Sequence, residues 1–252
     1  MRRELFYNPL ALAQRIGEWA ETRRRLLRLK GSAAAGLCDG HIDSLELLEL
    51  LRPASPGVIY DIGANVGTWT LLAKAVFPAA EIHAFEPLPQ HTLKFRASID
   101  GLKGIYLHEV ALGPEGIAAQ MHVNDPSDTS SILELSPRGI REWNLAKIDA
   151  VPLTLHGLDQ FCSAHRVRPP DLIKLDVQGF ELEVLKSAEQ TLSHTRAVLA
   201  EVSFRDFYCG QCRFDDVVSF LAARQMLVVA FGARTPRGQL LSQTDVLFMR
   251  PG

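Results

Sequence analysis

The stretch Val58-Ile-Tyr-Asp-Ile-Gly-Ala-Asn-Val-Gly-Thr-Trp-Thr70 decides the fold, because it joins an apolar run, an acid and two spaced glycines. Val58 to Tyr60 are typical of a short strand that is buried on both faces. Gly63 and Gly67 allow a tight turn, and they let a helix that begins near Thr68 pack close to that strand. The stretch therefore predicts the strand, turn and helix with which a doubly wound α/β sheet begins.

A second apolar run, His83-Ala-Phe-Glu-Pro87, follows this unit and ends in an acid. Glu86 lies 25 positions after Asp61. A carboxylate at this place in a doubly wound sheet can accept hydrogen bonds from both hydroxyl groups of a ribose. The two strands together are typical of a site for a nucleoside cofactor.

The glycine pattern separates two classes of nucleoside cofactor. A dinucleotide fingerprint, G-x-G-x-x-G, needs a third glycine, whereas this chain has Asp61-x-Gly63-x-Asn65-x-Gly67. An acid at the strand end repels a pyrophosphate, but it suits the cationic amino-acid tail and the sulfonium of S-adenosylmethionine (SAM). We therefore predict SAM as the cofactor. A dinucleotide site and a purely structural turn are the alternatives.

Further motifs follow in a fixed order along residues 56 to 249. They are Asp61-Ile-Gly-Ala-Asn-Val-Gly67, Phe85-Glu-Pro87, Ala111-Leu-Gly113, Ser130-Ser-Ile132, the run from Leu172 to Lys186, the run from Ala197 to Val202, and Thr244-Asp-Val-Leu-Phe248. In combination they resemble FkbM-type SAM-dependent O-methyltransferases, which have the class I Rossmann-like fold. The resemblance implies an acceptor hydroxyl on a sugar, glycolipid, polysaccharide or natural product. This chain has Gln178 where the family usually has Glu, so a role that needs a charge there is in doubt.

Alternating strand and helix patterns predict a doubly wound, mostly parallel sheet ordered 3-2-1-4-5. The expected strands lie near residues 58–61, 81–85, 105–110, 172–176 and 197–202, with later runs at 227–231 and 245–249. The resemblance implies an antiparallel last strand, and the turn-rich segment 232–244 is expected to join the last two strands. Residues 113–150 are rich in Ser, Asp, Pro and Gly, and we expect them to form a substrate loop.

The chain is expected to divide into an N-terminal helical extension, residues 1–55, and a methyltransferase domain, residues 56–252. Apolar spacing predicts a helix over residues 9–30 whose C-terminal end is rich in arginine. Asp43 and Glu46 resemble a capping box for the helix that follows. The first helix could act as a solvated surface, a dimer contact, a substrate lid or a membrane-surface contact, so a homo-oligomer through this helix is one of the alternatives.

The cofactor site is expected to combine strand ends, the glycine turn and one loop. Asp61, Gly63, Ala64, Asn65 and Gly67 are expected around the methionyl part of SAM, Glu86 at the ribose, and Pro87, Val110 and Ala111 near the adenine. Ser130 matches a serine of the resembled family, and we expect it to contact the cofactor or the substrate.

Methyl transfer to a hydroxyl group needs a base, and the acids at the ends of strands four and five are the candidates. Asp176 is the first choice, with Glu201 beside it and Lys174 two residues earlier on the same strand face. Alternatively, these acids only cap helices or pair with Lys174. His108 and His122 are other candidate bases. A divalent cation held by Asp176 and Glu201 is a less favoured alternative.

Composition limits the partners and the location. Lys and Arg number 27 against 29 for Asp and Glu, so no strong positive field would collect nucleic acid. A sequence without an 18-residue apolar run predicts no transmembrane segment, and we expect a cytoplasmic protein. The arginines of residues 1–30 leave a mitochondrial transit peptide as an alternative. Cys209 and Cys212 have the spacing of a metal or redox pair but lack a second pair, so we expect reduced thiols without a function.

Overall fold

The computed structural model describes residues 9–237 and 240–251. The helices are α1 Pro9–Arg28, α2 Leu45–Leu50, α3 Thr68–Val76, α4 Pro89–Ser98, α5 Pro137–Trp143, α6 Leu158–His165, α7 Glu181–Lys186, α8 Glu189–His194 and α9 Phe214–Ala222. The strands are β1 Val58–Ile62, β2 Glu81–Phe85, β3 Ile105–His108, β4 Ala111–Leu112, β5 Ala118–Asp125, β6 Ala146–His156, β7 Leu172–Leu175, β8 Ala197–Ser203, β9 Leu227–Arg237 and β10 Leu240–Met249.

Seven strands form the central sheet in the order β3-β2-β1-β7-β8-β10-β9. The first five are parallel, and β10 runs antiparallel to both β8 and β9. The predicted order and the antiparallel last strand are confirmed. From β1 the next strands in sequence are added on one side of the sheet, as far as β3, and the later strands are added on the other side, starting with β7. Ligands of doubly wound sheets bind at the point where this order reverses, which here lies between β1 and β7.

Side chains that point alternately to the two faces of the sheet divide the core into two layers. Val58 and Tyr60 of β1 pack into one buried cluster, with β7, β8 and the helices α6 to α9. Ile59, between them, belongs to the opposite cluster, which includes α3 and α2. Successive side chains of a strand point to opposite faces, so an unbroken apolar strand such as β1 supplies both layers.

The N-terminal segment packs into the second layer. Ile42, Leu45 and Leu48 are fully buried in the same cluster as Ile59. The predicted capping box for α2 is wrong, because Ser44 occupies the N-cap and its hydroxyl bonds elsewhere. The division of the chain at residue 55 stays a prediction.

The segment 113–150 is more ordered than predicted. It contains β5, which pairs antiparallel with β6, and β6 also pairs with β4 to form a second sheet of three strands. The expectation of a loop here is wrong, because polar strands exposed on one face lack the apolar run that marks a buried strand. The expected connection 232–244 is likewise mostly strand, since β9 and β10 pair through residues 227–237 and 240–249.

Candidate functional site

The turn after β1 is held in a conformation that needs glycine. Gly63 has φ +81°, and a Cβ added there would lie 1.9 Å from the carbonyl oxygen of Asp176. Gly67 has φ +90° and precedes α3. The amide of Asn65 donates to Glu86 Oε2 at 3.0 Å, which ties the turn to the end of β2. The turn therefore lies against the ends of β7 and β2, and α3 begins at Thr68 as predicted.

A cavity of about 570 Å³ opens at the carboxyl ends of the parallel strands. Pockets that bind small molecules commonly have this size. The predicted site residues that line it are Gly63, Ala64, Asn65, Glu86, Pro87, Val110, Ala111, Ser130, Lys174, Asp176 and Glu201. Two predicted residues, Asp61 and Gly67, lie outside its lining. One cavity thus brings together most of the predicted cofactor residues and all three predicted catalytic residues.

Asp61 is fully buried beneath the cavity. Its Oδ2 accepts a hydrogen bond from the Thr70 hydroxyl at 2.5 Å, and its Oδ1 lies 3.9 Å from the Lys174 ammonium. Burial raises the pKa of Asp61, while Lys174 and Thr70 act in the opposite direction. In this geometry Asp61 links β1 to α3 and β7, and its direct contact with a cofactor stays a prediction.

Lys174 is buried between two carboxylates. Its ammonium group lies 3.0 Å from Asp176 Oδ2 in addition to its contact with Asp61. Burial alone would lower the pKa of Lys174, but the two carboxylates outweigh this effect and raise it. Lys174 therefore stays a cation and cannot accept a proton from a substrate.

Glu86 is positioned by three protein donors. Its Oε1 accepts from the Leu88 amide at 3.0 Å and lies 3.1 Å from His91 Nδ1. The Asn65 amide holds its Oε2. A carboxylate has about four acceptor sites, so these three partners leave about one site for a ribose hydroxyl and keep the orientation of Glu86 constrained.

An amide joins the two candidate bases. Gln178 Nε2 donates to Asp176 Oδ1 at 2.7 Å and to Glu201 Oε2 at 3.0 Å. Burial and the nearby Asp176 carboxylate raise the pKa of Glu201 well above its ordinary value. A hydrogen-bond donor thus lies between the two acids where a shared cation would bind. Within the described part of the chain, no group of three His, Cys, Asp or Glu residues is placed to hold a metal ion.

The two histidines considered as bases lie outside the cavity lining. His108 Nε2 lies 3.0 Å from His83 Nδ1, and burial lowers the pKa of His108 to about 4. His122 is buried on β5 rather than in a loop, and burial lowers its pKa. Neither histidine touches the space in which a substrate would meet Asp176.

The Ser130 hydroxyl makes its hydrogen bonds within its own loop. Its hydroxyl donates to the Ser127 carbonyl at 3.0 Å and accepts from the Asn124 amide at 3.2 Å. It still lines the cavity, beside Pro126 and Ser127. Its neighbour Ser131 donates to the Gln178 carbonyl at 2.8 Å, so the serine pair connects the loop to the carboxylate end of the cavity.

Sequence reasoning missed three residues of the cavity wall. Asp43, Ser44 and Asp245 line the cavity beside Glu201. The Ser44 hydroxyl donates to Asp245 Oδ2 at 2.6 Å, which joins the N-terminal segment to β10. An acid inside the apolar run of β10 was the available signal for Asp245, whereas nothing in the sequence paired it with Ser44.

The cysteine pair is reduced and structural. Cys212 donates to Glu181 Oε2 at 3.3 Å, and burial raises the pKa of the Cys212 thiol. Cys209 is exposed and both thiols are free. This agrees with the expectation of reduced thiols.

Comparisons with known proteins agree on one class. The family model described as the methyltransferase FkbM domain matches residues 61–228. The 2-O-methyltransferase NoeI of Sinorhizobium fredii is 27% identical over 236 residues, which are 91% of this chain and 90% of the relative. The hexuronic acid methyltransferase AglP of Haloferax volcanii is 24% identical over 173 residues, 65% of this chain and 62% of that protein.

One solved structure that is similar to this chain is also a methyltransferase. It is the magnesium protoporphyrin IX methyltransferase ChlM of Synechocystis with bound SAM, at 12% identity and a TM-score of 0.47. The similarity covers 90% of each chain.

Among residues 9–237 and 240–251, none of the helices combines the length and the apolar content needed to cross a lipid bilayer.

Proposed function

The chain belongs to the FkbM methyltransferase family and is a SAM-dependent methyltransferase, and from this we propose that it methylates a hydroxyl group of a sugar, a glycolipid or polysaccharide, or a natural product. One observation carries the proposal. A single cavity joins the glycine turn after β1, Glu86 after β2 and the Asp176–Glu201 pair after β7 and on β8. A cofactor and an acceptor can therefore meet at the switch point of the sheet.

The residues present fit SAM. Gly63 lets the backbone of the turn approach a ligand without a side chain, and Glu86 offers its remaining acceptor site to a ribose hydroxyl. Val110 and Ala111 form an apolar wall where an adenine can lie. When bound, SAM supplies a sulfonium methyl group that is already activated toward an oxygen nucleophile. The chain itself must orient the acceptor, exclude water and remove one proton.

We assign proton removal to the Asp176–Glu201 pair, with Asp176 as the first acceptor. Lys174 and Gln178 hold the Asp176 carboxylate in one orientation from two sides. The raised pKa of Glu201 makes it a stronger base than an exposed glutamate. With SAM bound, a carboxylate oxygen of this pair would take the hydroxyl proton while the methyl group passes from the sulfonium sulfur to the acceptor oxygen, and Lys174 would keep its charge.

The names of the two relatives support an oxygen acceptor on a sugar. One is named for 2-O-methylation and aligns along 90% of its own length, and the other is named for a hexuronic acid. The near balance of charge, with 27 basic and 29 acidic residues, supports a small-molecule or glycan acceptor over a nucleic acid. Location in the cytoplasm stays part of this proposal.

Calorimetric titration of the purified chain with SAM, S-adenosylhomocysteine and NAD tests the cofactor assignment. Glu86→Gln should weaken SAM binding by about tenfold or more, because ribose hydroxyls lose a charged acceptor. Glu109→Gln, on the exposed surface, is the matched control and should leave the affinity unchanged. Tight NAD binding without SAM binding, or equal SAM affinity in both variants, would refute the assignment.

A further inference from the structure

The cavity has two ends that the sheet keeps apart. Glu86 follows β2, whereas Asp245 lies on β10 opposite Glu201 of β8. The order β2-β1-β7-β8-β10 leaves four strand spacings between them, or roughly 19 Å at about 4.8 Å each. With the ribose at Glu86, the space beyond Asp176 is left for the acceptor.

The wall of that far end comes from outside residues 61–228, the part that matches the family model. It is formed by Gly40, His41, Asp43 and Ser44 of the N-terminal segment and by Asp245. The hydrogen bond between Ser44 and Asp245 closes the wall. Part of the cavity wall nearest the base thus comes from segments outside the matched domain.

Arg25 anchors the N-terminal part of this wall. Its guanidinium group donates to the Ile42 carbonyl at 2.6 Å and to Glu46 at 2.8 Å, and it lies 3.6 Å from Asp39. Arg25 is itself mostly buried, so these contacts hold residues 39–46 against the fold. The wall is therefore built in advance of any ligand.

One buried donor at this end has no hydrogen-bond partner among the described residues. Trp69 lines the cavity at 8% exposure, and α3, which carries it, lies against residues 39–41. Among the residues that the structure describes, no acceptor lies within hydrogen-bonding distance of its indole Nε1. Buried donors are nearly always paired, so an orphaned one points to a partner that a ligand brings.

The far end carries a strong negative charge. Asp43, Asp176, Glu201 and Asp245 line it, and Lys174 is the opposing buried cation. Burial raises the pKa of Asp43, of Glu201 and of Asp245, which means that each negative charge is already costly there. Even with Glu201 protonated, the three other carboxylates outnumber Lys174, and Arg25, which acts on Asp43, is already paired with Asp39 and Glu46. A further carboxylate or phosphate brought by a ligand would be repelled.

We propose that residues 40–44 and Asp245 form the acceptor subsite, and that it takes a neutral or cationic sugar and rejects uronates and phosphosugars. This inference rests on the proposed function. Carboxylates bind sugar hydroxyls well, because each oxygen accepts strong hydrogen bonds from O–H donors. The subsite therefore selects against the acidic class of acceptor for which the relative AglP is named.

The test is binding of three aryl glycosides to the full chain saturated with S-adenosylhomocysteine. They are a hexoside, a hexosaminide and a hexuronide with the same aryl group. We expect the hexuronide to have a Kd about tenfold or more above that of the hexoside. In the double variant Asp43→Asn/Asp245→Asn, the gap between these two Kd values should shrink to about threefold or less, because two repelling charges are gone. Asp43→Asn alone, at an exposed position, should shrink it in part without affecting folding.

The controls separate this inference from the proposed function. Asp215→Asn removes an exposed acid that does not line the cavity and should leave the ratio of the two Kd values unchanged. Equal or tighter hexuronide binding, an unchanged gap in the double variant, or no binding of any glycoside would overturn the inference. If the order of affinities holds but no bound glycoside is methylated when SAM replaces S-adenosylhomocysteine, the proposed function fails and the subsite stands.

Discussion

Gln178 replaces a glutamate of the resembled family, and its amide changes what the two neighbouring acids can do. A glutamate would add a third carboxylate beside Asp176 and Glu201, whereas the amide donates to both. Its own oxygen accepts from the Tyr208 hydroxyl at 2.9 Å, so the orientation of the amide is set from the other side. Gln178 acts as a positioning residue for the base.

Gln178→Glu should lower kcat and move the acid limb of the rate profile to higher pH. The added charge raises the pKa of Glu201 further, so the Asp176–Glu201 pair becomes fully ionised only at higher pH. The charged groups around this position are Lys174, Asp176, Glu181, Glu201 and Asp245. The measurement is the pH dependence of kcat, compared with that of the wild type and of Gln178→Ala. The alanine variant is the control, because it removes the amide without adding charge. A profile unchanged in the glutamate variant contradicts the assignment.

Asp176→Asn should reduce kcat by about a hundredfold or more while the Kd for SAM stays within about twofold, because a general base typically supplies this factor. Steady-state rates with an acceptor that the wild type methylates give kcat, and calorimetry gives the Kd. Glu201→Gln under the same conditions shows which carboxylate receives the proton. Full activity of Asp176→Asn with loss in Glu201→Gln would exchange the two roles.

At the scale of elements, the turn between β1 and α3 is the most constrained segment of the site. Gly63 combines positive φ with close approach of its Cα to the Asp176 carbonyl, so both the turn and the end of β7 depend on it. The strand pair β5 and β6 is the contrasting case. Residues 121–124 of β5 are buried in succession, whereas β6 is mostly exposed, so the pair forms without the long apolar run of a strand buried on both faces.

Gly63→Ala should abolish measurable SAM binding and cost more than about 2 kcal/mol of unfolding free energy, because the new Cβ meets backbone. Gly101→Ala is the matched control. Gly101 also has positive φ, +75°, but nothing lies within 4 Å of an added Cβ, so only the backbone strain of about 1 kcal/mol remains. Urea unfolding and calorimetry measure the two effects. Equal costs in the two variants would argue against close packing at the turn.

At the scale of the whole molecule, the N-terminal segment is part of the core. Leu45, Leu47 and Leu48 of α2 pack in the cluster that contains Leu247 of the last strand, so the two ends of the chain meet under the cavity. The Arg250 guanidinium group adds three hydrogen bonds, to the carbonyls of Leu192, Thr195 and Arg224. The N-terminal segment and the last strand are therefore held in the fold by contacts far apart in sequence.

Leu48→Ala should destabilise the protein by about 2 to 5 kcal/mol, because it opens a cavity in a fully buried cluster. Leu50→Ala, in the same helix at 56% exposure, should change the unfolding free energy by less than about 0.5 kcal/mol. Urea denaturation of the two variants gives the difference. If Leu48→Ala is as mild as Leu50→Ala, the N-terminal segment does not stabilise the fold.

The sequence by itself determined the sheet order, the SAM class of cofactor and the residues at the strand ends. Local patterns suffice for these, because a buried strand, a glycine turn and an acid after a strand each lie within a few residues of one another. Asp176, Glu86 and Gly63 were found in this way. Only the tertiary structure decided that Asp61 faces Thr70 and Lys174, that Gln178 bridges two acids, and that Ser44 meets Asp245 across the chain. Such pairings depend on which elements pack together, and packing joins residues that no sequence spacing relates.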